Sequence, residues 1–373
     1  MNPESVFCPN IDCPARGRRN AGNINIHSQK DARYYCEVCQ ETFAATKGTI
    51  FYRLKTDPMV VMVVITLLAY GSPIQAVVAA YGFDERTIKN WWQRAGTHCQ
   101  KVHEHMVGQS RFDLGQVQAD EIKVKIQGGS VWMALAMMVS TRLWLAGAIS
   151  TRRDQALIQQ LADQIRVVAL CRPLLLAVDG LSSYVRAFQR AFRTKLPRHG
   201  QTGRPRLRPW PEIAIVQVVK QQIVGRLTIE RRIVQGGTEM ITNLIQVTQG
   251  QGGINTAYIE RLNATFRQRL SSLVRRTRAL AHQPQTLQAG MYVLGCVYNF
   301  CTYHQSLRGP YHLSQHTRRW LRRTPAIAAG LTDHRWSIAD LFHFQVPPSP
   351  WTPPNHRGRP SDHTLRLIKQ WCY

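Results

Sequence analysis

The hydrophobic pattern between residues 115 and 200 restricts the fold more than any other feature of the chain. Residues 117–126, 131–139 and 143–150 read as three strands, separated by the short turns Gln127-Gly128-Gly129 and Ser140-Thr141-Arg142. Residues 153–168 then read as an amphipathic helix. The run PLLLAV over 173–178 is a buried strand that ends at Asp179-Gly180, and residues 184–192 form another helix. Three consecutive strands, a helix, a buried strand and a helix predict an α/β layered domain that begins with an antiparallel meander.

The segment before this domain has a different logic. Residues 1–56 are polar and irregular and hold Cys8, Cys13, Cys36 and Cys39, two close thiol pairs separated by a loop. Such a segment cannot bury enough apolar surface on its own. The spacing predicts a Cys₄ zinc ribbon, in which four thiolates fill a tetrahedral structural Zn²⁺ and leave no open position for chemistry. Residues 57–108 read as helical. Residues 59–69 form one apolar helix, Ser72-Pro73 opens a second, and Asp84 caps a third, written ERTIKNWWQRA. The Gly-containing turn between the last two predicts a helix-turn-helix with Arg86, Thr87, Lys89 and Asn90 at its DNA-facing start.

Charge narrows the partner. The chain of 373 residues has 48 Lys plus Arg against 22 Asp plus Glu, a net charge of +26. Such an excess needs a polyanion, and the Arg-rich balance suits bidentate phosphate contacts. No apolar run is long enough to span a bilayer, and the first residues do not read as a signal peptide, so no membrane partner is expected. The nine cysteines suit metal-bound and free thiols better than a disulfide framework. Near the end, Arg357-Gly358-Arg359-Pro360 has the form of a minor-groove hook, with Arg357 and Arg359 flanking a glycine.

In so basic a chain the placement of acids is informative. Asp120 lies inside the first strand, Asp179 closes the buried strand, and Glu260 lies on a helix expected over 256–276. After Glu260 the next acid is Asp333, with eleven arginines between. Convergent carboxylates of this kind hold Mg²⁺ or Mn²⁺ for phosphodiester chemistry, and α/β sheets bind ligands at the carboxyl ends of strands. On the Glu260 helix, Thr256, Asn263 and Arg267 share the glutamate's face, beside an apolar face of Ile259, Leu262 and Phe266. Glu121 alternates with Asp120, so it should point to the other face of the sheet and serve at most as an accessory acid.

The Cys₄ segment ending YYCEVCQETFAATKGTIFYRLKT, the helix-turn-helix, QADEI, LLLAVDG and NTAYIERLNATFRQRLSSLVRRTRAL together resemble a transposase of the insertion-sequence-one (IS-one) family. The segments YNFCTYHQSLR and RTPAIAAGLTDHRWSIADL add to the likeness, which spans roughly residues 7–346. The resemblance implies a DDE recombinase with an RNase H-like catalytic domain. Asp120, Asp179 and Glu260 would be its catalytic Mg²⁺ ligands, with Asn263, Arg261 and Arg267 beside them or on DNA phosphate. It also implies double-stranded DNA as partner, both element ends and target, a homodimer or larger assembly holding two ends, and a bacterial cytoplasmic, nucleoid-associated location.

The expected organisation is multidomain α+β. A zinc ribbon covers 1–56 and a helix-turn-helix 57–108. The RNase H-like domain covers 113–283, with a β-rich insertion at about 195–253. A helical region over 284–346 and an extended, Pro-rich basic tail over 347–373 complete it. The insertion is expected because 81 positions separate Asp179 from Glu260.

Overall fold

A computed structural model describes residues 1–197, 202–223, 226–274, 283–314, 317–353 and 358–372. The chain forms two compact units, Met1–Val60 with Phe342–Tyr373, and Val61–Leu341.

The first unit is built on a three-stranded antiparallel sheet of β1 (Ile24–Ser28), β2 (Arg33–Cys36) and β3 (Thr42–Ala44). The C-terminal segment completes this unit. It ends not in extended chain, as expected, but in a helix over Asp362–Trp371, capped by Ser361, whose hydroxyl accepts from the backbone N–H of Thr364. Trp371 is buried with Val6, Cys8, Cys13, Tyr34, Cys36 and Phe43, and Trp351 and Leu367 pack against them. Arg16 donates to the carbonyls of Ser349 and Pro350, and Arg18 donates to that of Trp371. The reason is economy of core: three short strands leave apolar surface uncovered, and an amphipathic helix from the far end of the chain covers it.

In the second unit, helix α1 (Pro58–Ala69) leads to α2 (Ile74–Tyr81) and α3 (Glu85–His103). Gly82 ends α2 in the left-handed conformation, and Asp84 caps α3 by accepting from the N–H of Arg86 at 2.8 Å. The centre of the unit is a six-stranded mixed sheet. It contains β4 (Gly115–Ile126), β5 (Gly129–Met138) and β6 (Trp144–Ser150) as an antiparallel meander. Helix α4 (Gln155–Val168) carries the chain to β7 (Leu174–Asp179), which pairs parallel to β4. Helix α5 (Ser182–Ala191) and a small hairpin of β8 (Arg193–Lys195) and β9 (Leu207–Pro209) precede β10 (Ile213–Ile223) and β11 (Arg226–Gln235). Helices α6 (Thr238–Gln249), α7 (Ala257–Arg269) and α8 (Pro284–Cys296) follow.

The strand order is β11-β10-β7-β4-β5-β6, which corrects the expected insertion over 195–253. Strand β10 is not inserted matter but a member of the central sheet, parallel to β7, and β11 extends the edge antiparallel to it. Its opening run Ile213–Val216 is apolar and buried because both of its faces are covered, as in any central parallel strand.

The region expected to be helical over 284–346 is corrected in part, since Thr317–Leu321 is a strand that pairs with Gly309–Ser314. A helix as short as this segment has no nucleus to support it, whereas pairing supplies backbone partners. The helices expected as a separate DNA-binding domain belong to this second unit. Helix α3 runs eight residues beyond Ala95 and packs against α8, where Gly96 lies so close to Ala289 that an added Cβ would stand 2.3 Å from the Ala289 Cβ. Among the described residues, no helix is long and apolar enough to cross a membrane.

Candidate functional site

Strand order changes direction at β4, with β5 and β6 on one side and β7 and β10 on the other. The crevice at the carboxyl ends of adjacent parallel strands at such a point is where open sheets take ligands. The register pairs Gln118 of β4 with Ala177 of β7, so two residues further along Asp120 stands level with Asp179. A cavity of about 530 Å³ opens there, lined by Asp120, Arg153, Asp179, Lys220, Thr256 and Glu260 among others.

A ladder on one face of β4 fixes the helices above it. Gln116, Gln118 and Asp120 alternate along the strand and so point the same way. Gln116 Oε1 accepts from Thr248 Oγ1 and Gln249 Nε2, both at 2.7 Å, and holds the end of α6. Gln118 Oε1 accepts from the backbone N–H groups of Tyr258 and Ile259, each at 3.0 Å, while its Nε2 donates to the Asn255 carbonyl at 2.7 Å. That fully buried amide caps α7 and seats the first turn, with Glu260, over the strand. Asp120 Oδ2 accepts from Asn263 Nδ2 at 2.8 Å, and its Oδ1 accepts from the Glu121 N–H at 2.9 Å. Asn263 thus contacts the first acid directly.

Glu121 points to the other face, as alternation requires, where Tyr184 of α5 donates to its Oε2 at 2.7 Å. Its carboxylate nevertheless reaches the site. Ligand oxygens of Asp120, Glu121 and Asp179 all lie within 4.8 Å of one another. Arg153 binds Glu121 and also donates to Asp179 Oδ2 at 3.0 Å. Glu260 is not within this trio. Its Oε1 accepts from Lys220 Nζ at 2.5 Å and from Thr256 Oγ1 at 2.7 Å. Sequence reasoning passed over Arg153, Lys220 and Tyr184; its available signal was position, one at the start of α4, one on β10 and one on α5, all near strand ends.

Electrostatics agree with this division. Burial, then the charge of Glu121, raises the Asp120 carboxyl to about 6 against hydrogen bonds that favour its ionised form. Burial and then Asp179 raise Glu121, opposed by Tyr184 and Arg153. Burial works to raise Glu260, but Lys220 and Thr256 outweigh it and hold the carboxyl below its ordinary value. Clustered acids of this kind are relieved by a cation. The oxygen-only donor set fits a hard divalent ion such as Mg²⁺ or Mn²⁺.

The cysteines of the first unit form a second candidate metal centre. Their four sulfurs lie within 4.8 Å of one another, with Cys8 to Cys39 at 3.6 Å and Cys13 to Cys36 at 3.8 Å. A regular tetrahedron with Zn–S bonds of about 2.3 Å has S···S edges of about 3.8 Å. Burial raises the Cys8 thiol and brings that of Cys13 up to about 12. At Cys36 burial is outweighed by the backbone N–H groups of Cys39 and Val38 and by Asn23 Nδ2, 3.3 Å from the sulfur, so this thiol is lowered. These residues could hold Zn²⁺, which would keep all four sulfurs ionised.

The remaining sequence candidates are dispersed. Arg86 and Asn90 are exposed on α3, Thr87 is half-buried, and Lys89 pairs with Glu85 at 2.7 Å. Lys89 and Asn90 line a groove of about 550 Å³ with Ser72, Gln75, Ser271 and Gln285. Arg261 is exposed and Arg267 half-buried on α7. Arg359 is exposed, and Arg357 lies outside the described residues. No protein-family model matches the chain, and no curated protein matches it.

Proposed function

We propose that the chain is a DNA transposase, an RNase H-like enzyme that cleaves the ends of a mobile element and joins them to target DNA. One observation carries the reading. Two aspartates from adjacent parallel strands stand level at the switch point of the sheet, and Glu260 lines the same cavity in a chain of net charge +26. The meander followed by parallel strands supports the RNase H-like assignment. The single likeness behind it is the resemblance to IS-one transposases.

In this reading Asp120, Asp179 and Glu260 hold Mg²⁺ or Mn²⁺, with Glu121 close enough to share the site. When bound, the metal activates the attacking oxygen and stabilises the leaving one. Asn263 fixes the orientation of the Asp120 carboxylate, and Gln118 sets the height of Glu260 above it. Arg153 and Lys220, already at the cavity, neutralise acids in the absence of DNA and are placed to bind the scissile phosphate when it enters. Arg267 adds positive charge on the Glu260 side of α7, and Arg261, elsewhere on the same helix, is assigned to DNA phosphate. The Cys₄ unit, carrying structural Zn²⁺, and the start of α3, with Arg86, Thr87, Lys89 and Asn90, recognise the element ends. Joining needs two ends together, so the active species is a homodimer or larger assembly on double-stranded DNA. Arg357 and Arg359 are assigned to the minor groove on sequence form alone.

The test is incubation of the protein with labelled element-end DNA, a supercoiled target and Mg²⁺ or Mn²⁺. Joined product is expected, and Asp179→Ala should abolish cleavage and joining while end binding persists. Nicks without joining would make the protein a nuclease, and shifted but intact DNA would make it a non-catalytic regulator.

A further inference from the structure

Helix α7 carries a second functional face that the carboxylate site does not use. At about 100° per residue, Tyr258, Arg261, Thr265 and Arg269 fall within about 80° of one another. Thr256, Glu260, Asn263 and Arg267 lie on the opposite side, with the buried Ile259, Leu262 and Phe266 between the two sets.

The first set meets residues from distant parts of the unit. Arg142, in the turn between β5 and β6, places its guanidinium 3.9 Å from the centre of the Tyr258 ring and also donates to the Val139 carbonyl. Its backbone is left-handed, with φ of 59°, a conformation costly for arginine that aims the side chain along this face. Arg269 lies 4.7 Å from the Tyr70 ring centre and donates to Thr302 Oγ1 at 3.4 Å. The buried Tyr298 lies within electrostatic reach of all three guanidiniums. His304 meets its ring edge-on at 6.1 Å. Burial, then Arg142 and Arg261, push the His304 ring down to about 4. Among the described residues, no carboxylate forms an ion pair with Arg142, Arg261 or Arg269.

Arg142 lies near enough to Arg261 for the two guanidiniums to repel one another, and partial burial weakens the screening. An anion from outside the chain would relieve that repulsion. We propose that Arg142, Arg261, Arg269 and His304 form a phosphate-binding site for the backbone of a nucleic-acid strand, on the side of α7 away from the carboxylates. Arg261 and Arg269 are about 12 Å apart along the helix axis. One DNA strand presents a phosphate about every 3.4 Å of its axis, so this spacing suits a polymer better than one free phosphate. The phosphates held here are not the one that reacts. They flank it, and α7 lies between. The inference rests on the nucleic-acid reading above but not on the metal site.

The experiment measures binding of a fluorescent duplex oligonucleotide to the full chain as salt is varied. Arg261 is exposed, so Arg261→Gln should fold normally, and Arg142→Gln and Arg269→Gln extend the series. Each is expected to weaken binding at least about fivefold at low salt and to lower the slope of log affinity against log salt by about 0.9 per lost contact. Arg261→Lys should recover much of the loss. Asp179→Asn should bind as wild type while losing cleavage, which separates this site from the carboxylates. Unchanged affinity and slope in Arg261→Gln and Arg142→Gln would overturn the proposal. If wild type binds no DNA but inorganic pyrophosphate raises its melting temperature and not that of Arg261→Gln, the phosphate site stands and the nucleic-acid reading falls. If neither probe responds to the substitutions, the site itself falls.

Discussion

Gln118 accepts the backbone N–H of Ile259 at 3.0 Å, across 141 positions of sequence, and so ties the middle of β4 to the first turn of α7. The same oxygen takes the N–H of Tyr258, and the amide nitrogen closes on the Asn255 carbonyl. Replacing Gln118 by Leu keeps the volume and strands three backbone groups, the buried N–H of Ile259 and the part-buried N–H of Tyr258 and carbonyl of Asn255. The expected loss is about 2–4 kcal/mol, since each buried unsatisfied group costs about 1–3 kcal/mol and part of the loss relaxes. Urea unfolding reads this directly. A midpoint unchanged in Gln118→Leu would show that α7 is seated by its apolar face alone.

Glu121 occupies the acid cluster from the far face of β4, with Tyr184 and Arg153 fixing its carboxylate. Glu121→Gln keeps the Tyr184 contact and removes one charge from the trio. Divalent-ion affinity should fall by about 10–100-fold, the range for residues that orient or support metal ligands. Calorimetric titration with Mn²⁺ measures it, and an affinity equal to wild type would remove Glu121 from the site.

Lys220 and Glu260 pair at 2.5 Å, but both side chains are about two-fifths exposed, at 42% and 43%. Exposed pairs contribute about 0–1 kcal/mol. Glu260 can therefore exchange this partner for a cation at the Asp120–Asp179 site at little cost. Lys220→Met should lower stability by less than about 1 kcal/mol and should tighten Mn²⁺ binding if the lysine competes for the glutamate. A weakened Mn²⁺ affinity in that variant would mean that Lys220 positions Glu260 for the metal.

The three strands, α4, β7 and α5 were legible because period and turn residues change together along 115–192. The strand positions of Asp120 and Asp179 were legible for the same reason, but that they stand level follows only from the register of β4 against β7. The part that escaped was pairing. Nothing local in Ile213–Ile223 says that it lies parallel to β7, so a core strand looked like inserted hairpin. Gln116 and Gln118 announce themselves only as polar residues at every second position of an apolar strand, a pattern that also suits a solvated face. Trp371 lies 332 positions from Cys39 in sequence, and no spacing rule connects a C-terminal amphipathic helix to a ribbon core. Alternation correctly placed Glu121 on the opposite face, but it lies one residue past the level at which β7 ends, and there its carboxylate reaches the site.

The C-terminal segment should affect metal retention, because Trp351, Leu367 and Trp371 pack on the core that contains Cys8, Cys13 and Cys36. Wild type is expected to hold about one zinc per chain and Cys36→Ser to lose it, as four thiolates make one tetrahedral site. Trp371→Ala deletes a large buried side chain, a change that typically costs about 3–5 kcal/mol. Zinc should then leave faster to a chromogenic chelator, although every ligand is intact. Equal release rates for Trp371→Ala and wild type would detach the terminal helix from the metal centre.

His103 is expected to make the core of the second unit acid-sensitive. Its Nε2 lies 3.1 Å from the Leu145 carbonyl, its ring packs against Trp144 and Tyr292, and its Nδ1 has no hydrogen-bond partner among the described residues. Burial lowers the ring from 6.5 to about 4, only partly opposed by that carbonyl. The folded state therefore binds this proton less readily than the unfolded chain. The associated stability is complete above 6.5 and is lost as pH falls toward 4. A lowering from 6.5 to about 4 corresponds to about 3 kcal/mol. His103→Gln keeps a neutral donor for Leu145 but has no proton to gain. It should be less stable than wild type at neutral pH, from imperfect packing, and should lose less stability on acidification. Urea midpoints for both proteins across that range decide the matter. Parallel pH profiles would show that His103 does not set the acid limit, whatever the two proteins' absolute stabilities.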